Sequence, residues 1–181
     1  MPAALHRSLA GHGLDEVLDL FEHVNTTHVP SILSSLSVLA GTNLAASHRD
    51  GIVNFRLCDY HPDTAARDCA NGCGAHTDYG TFSIIFQDGP QGLEVEDEVS
   101  GTWMPVLGDA TIVLTGCCAL ILGGGRIRAA RHRVRRAPGV RRLSAVLFVA
   151  PVTATKLQAL PGIQPIRPFS REIMQFHKNV G

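Results

Sequence analysis

Apolar residues recur along this chain with two different periods, and the switch between them divides it. Leu14, Val17, Leu18 and Phe21 fall at helical spacing with Asp15, Glu16 and Asp19 between them, which predicts an amphipathic helix. Asn25-Thr26-Thr27 interrupts that pattern, and Pro30 suits the start of a second helix carrying Ile32, Leu33, Leu36 and Leu39, with Gly41 as its stop. After Asp50-Gly51 the period shortens. Residues 52–57 read as a strand and 61–75 as a loop rich in Pro, Asp, Gly and Ala. From His76 onward the chain reads as β-structure, with strands at 82–86, 93–96, 102–106, 111–114, 119–122 and 143–149. Turn signals separate them at Asp88-Gly89-Pro90-Gln91-Gly92, Ser100-Gly101, Gly108-Asp109 and Gly123-Gly124-Gly125. Residues 170–178 read as a short C-terminal helix. Many short, closely spaced strands point to a sandwich, barrel or jelly roll.

Composition narrows this little. With 181 residues, 45% hydrophobic and 18% charged, the chain fits one globular domain able to bury a core. Residues 1–48 read as helical support, 49–151 as the β core and 152–181 as a tail. Zero formal net charge gives no bulk field toward nucleic acid or an anionic membrane. No apolar run reaches the roughly 18 residues of a membrane span, and residues 1–10 lack the apolar core of a secretory signal. Five cysteines, Cys58, Cys69, Cys73, Cys117 and Cys118, match no zinc spacing. They read as reduced thiols of a cytoplasmic protein, with a Cys69–Cys73 disulfide as an open alternative.

Two constellations carry chemistry. His76 and Asp78 sit two apart, so in an extended strand both reach one face, and His132 has to arrive from another strand. Two imidazoles and one carboxylate leave half an octahedron open on iron(II). Zinc is a second reading of the same donors, and a pair of surface residues is a third. Arg142 and Ser144 share a strand face, with Leu143 turned away toward a core. A guanidinium beside a hydroxyl suits a carboxylate. Eight arginines lie between 126 and 142, half of the 16 Lys and Arg in the chain. A nucleic-acid strip therefore competes with a solvated hairpin, and the hairpin is preferred because aromatic residues are scarce there.

Read in order, Gly74-Ala75-His76-Thr77-Asp78-Tyr79-Gly80, Gln87-Asp88, Gly92-Leu93-Glu94-Val95, Trp103 with Pro105-Val106, Gly108-Asp109, Gly116, His132-Arg133-Val134 and Arg142-Leu143-Ser144 resemble the 2-oxoglutarate- and iron(II)-dependent dioxygenases, in the isopenicillin N synthase-like branch. The resemblance covers residues 50–151. It implies a mainly β fold, a double-stranded β-helix (a distorted, cupin-like jelly roll) with N-terminal helices packed on it. It implies iron(II) on His76, Asp78 and His132, and 2-oxoglutarate held by Arg142 and Ser144, with Tyr60 as a further contact. The reaction implied consumes 2-oxoglutarate and O2, yields succinate and CO2, and hydroxylates, desaturates or rearranges a small organic metabolite, as in secondary metabolism. Ile84, Phe86, Val146 and Phe148 are the expected pocket walls. The family's Asn-Tyr-Tyr-Pro segment is altered here to Arg56-Leu57-Cys58-Asp59-Tyr60-His61-Pro62, and the chain begins well inside the family's usual N-terminal region. An oxidase that does without 2-oxoglutarate and a non-catalytic binding protein are the alternatives. Monomer and homodimer are both open.

Overall fold

The computed structural model describes residues 12–64, 71–158 and 160. Helix α1, Asp15–His23, runs through a π-helical turn, Val24–His28, into α2, Val29–Ala40. The interruption expected at Asn25-Thr26-Thr27 is thus a wider turn and not a break. The Thr26 hydroxyl donates to the Glu22 carbonyl at 2.7 Å, a back-bond that lets a polar β-branched residue stay inside a helix. The stop at Gly41 stands where expected. Its φ of 62° is a left-handed C-cap conformation that glycine adopts without strain.

Among the described residues, eight strands follow: β1 Ile52–Tyr60, β2 Asn71–His76, β3 Phe82–Gln87, β4 Leu93–Glu96, β5 Trp103–Pro105, β6 Ile112–Thr115, β7 His132–Arg135 and β8 Arg142–Ala150. They form two four-stranded antiparallel sheets, ordered β1-β8-β3-β6 and β2-β7-β4-β5. This is the double-stranded β-helix arrangement. One apolar cluster lies between the first sheet and the helices, with Leu33, Leu36, Phe82, Ile84, Leu147 and Val149 buried in it. A second lies between the two sheets and includes Ile85, Leu93, Val134 and Val146. Among the described residues, no helix is long and apolar enough to cross a membrane.

Several expectations are corrected. The loop expected over 61–75 contains β2, whose Asn-Gly-Cys-Gly opening carries little β signal. The strand expected at 119–122 is helical: Cys117–Leu122 forms α3, with Gly116 as its N-cap. A short apolar run reads the same for a buried strand and a buried helix. Leu143 shares the helix-facing side of β8 with Leu147 and Val149 but lies outside their cluster and is 49% exposed. The arginine-rich segment is no hairpin, because β7 and β8 belong to different sheets. Four of its arginines are paired with carboxylates. Arg133 meets Glu94, Arg131 meets Glu96, Arg128 meets Glu98 and Arg141 meets Asp59, while Trp103 lies under both Arg131 and Arg133. The helix expected at 170–178 and Cys69 lie outside the described residues. The four described cysteines, Cys58, Cys73, Cys117 and Cys118, form no disulfide.

Candidate metal centre and anion site

His76 ends β2, His132 begins β7, and the two are direct partners across the antiparallel pair. Their rings lie 4.3 Å apart between centroids. Asp78 sits just past the end of β2, in the loop that crosses to β3, and not on the strand itself. Its Oδ1 is 3.5 Å from Nε2 of His76 and 3.9 Å from Nε2 of His132. The three donor atoms all lie within 4.8 Å of one another.

Each donor is aimed by a neighbour. Nδ1 of His76 lies 2.7 Å from the Gly74 carbonyl and Nδ1 of His132 lies 3.2 Å from the Ala130 carbonyl. These carbonyls hold the ring protons on Nδ1 and leave Nε2 toward the shared point, the usual outer support of a metal-ligating histidine. Ser83 donates to Oδ2 of Asp78 at 2.5 Å, so Oδ1 stays free to ligate. The loop itself is clamped from behind by the start of α3. The Cys117 amide donates to the Asp78 carbonyl at 2.8 Å, and the Cys118 amide is shared between the carbonyls of Tyr79 and Gly80.

The electrostatics fit a cation. The hydrogen bond to Asp78 lifts His76 to about 10, with a smaller push from Cys73. Burial holds His132 below the ordinary histidine value. Burial would raise Asp78, but hydrogen bonds from His76 and Ser83 and the nearby imidazole charge outweigh it and leave the carboxyl below its usual range. The positive charge that Asp78 draws onto His76 is the charge a metal ion would bring to the same point. Two imidazole nitrogens and one carboxylate oxygen on one side of that point are the donor set of an iron(II) centre with open positions.

A cavity of about 590 Å³ opens over these residues. At its other end is Arg142, 5% exposed. One terminal nitrogen donates to Gln87 Oε1 at 2.6 Å, and the other donates to the Ser144 hydroxyl at 3.2 Å. Nε is buried without a partner, and no carboxylate among the described residues pairs with the guanidinium. Burial lowers its pKa. Tyr60 is its cross-strand partner on β1, with the ring centroid 5.2 Å from the guanidinium carbon, and burial pushes the phenol up to about 12.

The structure therefore brings His76, Asp78 and His132 together at one end of the cavity and Arg142, Ser144 and Tyr60 at the other. Val146 and Phe148 also line it. Ile84 and Phe86 do not. They face the helices, and Ile85 faces the cavity in their place. β3 is covered on both faces, so its apolar run carries no alternation from which the register could be read. Sequence reasoning also missed Ser83 and Gln87. Both are polar residues set in a buried apolar strand, a signal that becomes readable only once the strand's facing is known.

Comparison with known proteins agrees with this geometry. Residues 48–151, more than half of the chain, match the family model described as the 2OG-Fe(II) oxygenase superfamily. Scopoletin 8-hydroxylase of Arabidopsis thaliana is 28% identical over 75% of this chain and 39% of its own length. A 2-oxoglutarate-dependent dioxygenase of Talaromyces stipitatus is 34% identical over 67% of this chain and 41% of its own. The chain thus spans less than half the length of these two relatives. Among solved structures, the Arabidopsis dioxygenase for auxin oxidation, in complex with 2-oxoglutarate, superposes with a TM-score of 0.68 at 26% identity, covering 80% of this chain and 55% of that one.

Proposed function

Because the chain belongs to the 2OG-Fe(II) oxygenase superfamily, we propose that His76, Asp78 and His132 hold iron(II), that Arg142 and Ser144 receive the far carboxylate of 2-oxoglutarate beside Tyr60, and that the enzyme oxidises a small organic molecule. The observation that carries this reading is Arg142, a buried cation with no counter-charge among the described residues, set across a cavity from an open metal site. An unpaired buried charge is costly, and a dicarboxylate would relieve it. A guanidinium has five N–H donors, and the bonds to Gln87 and Ser144 leave others on its terminal nitrogens for a ligand.

When bound, iron and 2-oxoglutarate would supply the activation of O2, with succinate and CO2 as the by-products. The protein's own residues bind and orient. Ser83 fixes Asp78 so that one oxygen faces the metal, Gln87 fixes Arg142, and the carbonyls of Gly74 and Ala130 fix the imidazoles. Gln87 is itself held by donating to the carbonyls of Leu107 and Ala110, both at 3.2 Å. The apolar wall of Ile85, Leu93, Val134 and Val146 keeps water from the space between metal and anion sites. Hydroxylation, desaturation and ring rearrangement share this machinery. A cytoplasmic location belongs to the same proposal, in keeping with the free thiols of the described cysteines.

The test is anaerobic titration of the iron(II)-loaded protein with 2-oxoglutarate. A weak visible charge-transfer band that grows and saturates is expected. Iron binding without that band would remove 2-oxoglutarate from the site, and absence of iron binding would remove the metal assignment.

A further inference from the structure

The cavity wall made by β1 and β8 is a two-strand stripe whose rungs can be followed in order. Tyr60 pairs with Arg142, Cys58 with Ser144, Arg56 with Val146, Asn54 with Phe148 and Ile52 with Ala150, and all of these residues line the cavity. The first two rungs are the anion site described above. Beyond them the stripe turns polar again at Arg56 and Asn54, two residues outside the proposed iron and 2-oxoglutarate contacts.

Three observations fix what Arg56 is placed to do. Its guanidinium carbon lies 5.8 Å from the Phe148 ring centroid, near the limit of a cation–π contact, so the side chain rests against the wall at that height. No carboxylate among the described residues pairs with it, and the side chain is exposed on the cavity lining. And Phe148 is the β3 rung partner of Ser83, the residue that holds Asp78. Arg56, Asn54 and Phe148 thus stand at the level of the metal site, while Arg142 lies further along the same strand.

The geometry points to Arg56, assisted by Asn54, as the anchor for a carboxylate on the substrate, with Phe148 beneath the substrate's flat apolar body. The substrate class is an aromatic or planar carboxylic acid. A guanidinium gives a carboxylate two parallel charge-assisted hydrogen bonds, and a primary amide of the same shape loses the charge. The lining around this rung, Ile52, Val146, Phe148 and Ala150, suits carbon and not sugar or phosphate. This inference rests on the oxygenase reading of the same cavity and adds the substrate's recognition group to it.

The experiment is anaerobic calorimetry on protein loaded with iron(II) and 2-oxoglutarate, with 3-phenylpropanoate, indole-3-carboxylate and 1-naphthoate each compared with its carboxamide. The charge-transfer band is recorded first in every sample. The expected result is that at least one acid binds about tenfold or more tighter than its amide, the worth of a charge-assisted hydrogen bond. In Arg56→Gln that preference falls to within about twofold, and Arg56→Lys recovers part of it. Arg135→Gln, at an exposed arginine outside the cavity, keeps the preference. If the band forms but no acid outbinds its amide, or if Arg56→Gln keeps the preference, the anchor is overturned while the oxygenase reading stands. If the band never forms, it is the oxygenase reading that fails.

Discussion

The two oxygens of Asp78 have different surroundings, and that difference makes a buried carboxylate useful as a ligand. Oδ2 accepts from Ser83, while Oδ1 faces Nε2 of both histidines. Ser83→Ala would leave Oδ2 buried without its donor and free the carboxylate to rotate. Outer supports of this kind are worth about 10–100-fold in metal affinity, so iron(II) affinity should fall by that order, with a smaller effect on the melting temperature. Competition titration against a chelator measures it, and unchanged affinity would show that Asp78 is aimed by the loop alone. At this scale the sequence was informative where residue type and spacing suffice. His76, Asp78, His132, Arg142 and Ser144 can be picked out because their donors suit a metal and a carboxylate and their order and spacing resemble a known family's motifs. Ser83 could not, since one hydroxyl in an apolar run has meaning only once the strand's facing is known. The same ignorance of facing exchanged Ile84 and Phe86 for Ile85.

Among the elements, α3 was the least legible and does the most for the site. Cys-Cys-Ala-Leu-Ile-Leu is too short and too apolar to show a period, yet its first amides hold the carbonyls of Asp78, Tyr79 and Gly80. The contact is close enough that only glycine fits before it. A Cβ at Gly116 would run into the carbonyl oxygen of Gly80 and lie 2.7 Å from that of Asp78. Both are backbone atoms that cannot swing aside. Gly116→Ala should therefore cost roughly 1–3 kcal/mol of stability as an overpacking change and weaken iron as well, read by thermal melts and the same chelator titration. A loss of stability with full iron affinity would separate α3 from the centre. The turn before β1 has its own dependence on pH. His48 donates from Nδ1 to the Leu44 carbonyl and accepts at Nε2 from the Thr81 hydroxyl, both at 2.6 Å, and burial lowers its pKa from 6.5. The folded state thus takes up this proton less readily than the unfolded chain, so the contribution of His48 is complete above 6.5 and is lost as pH falls toward the lower folded value. Denaturant melts at a series of pH values should show an acid-side loss that His48→Asn reduces, and an identical profile in that variant would assign the loss to other groups.

Across the whole molecule, the residues proposed to bind iron and 2-oxoglutarate are divided between the two sheets. His76 and His132 belong to the β2–β7 pair, Tyr60, Arg142 and Ser144 to the β1–β8 pair, and Asp78 to the loop crossing from one sheet to the other. The sandwich architecture was legible from strand spacing, but this division was not, because it depends on β7 and β8 leaving each other after the arginine-rich stretch. A ligand that touches iron at one end and Arg142 at the other would join the sheets, and the two should bind as a linked pair. Ligand that binds only the folded state at about 100 times its Kd adds about 2.7 kcal/mol, which for a domain of this size is roughly 5–11 °C in melting temperature. Iron with 2-oxoglutarate should reach that range under anaerobic conditions, and 2-oxoglutarate without metal should give much less, since half of its contacts are missing. Linkage also requires that 2-oxoglutarate tighten iron by the same factor by which iron tightens 2-oxoglutarate. Arg142→Met should abolish the extra shift from 2-oxoglutarate while leaving the shift from iron alone in place. If the two shifts are simply additive in the unaltered protein, the two ends of the cavity are independent sites, and the single chelating dicarboxylate is the wrong ligand.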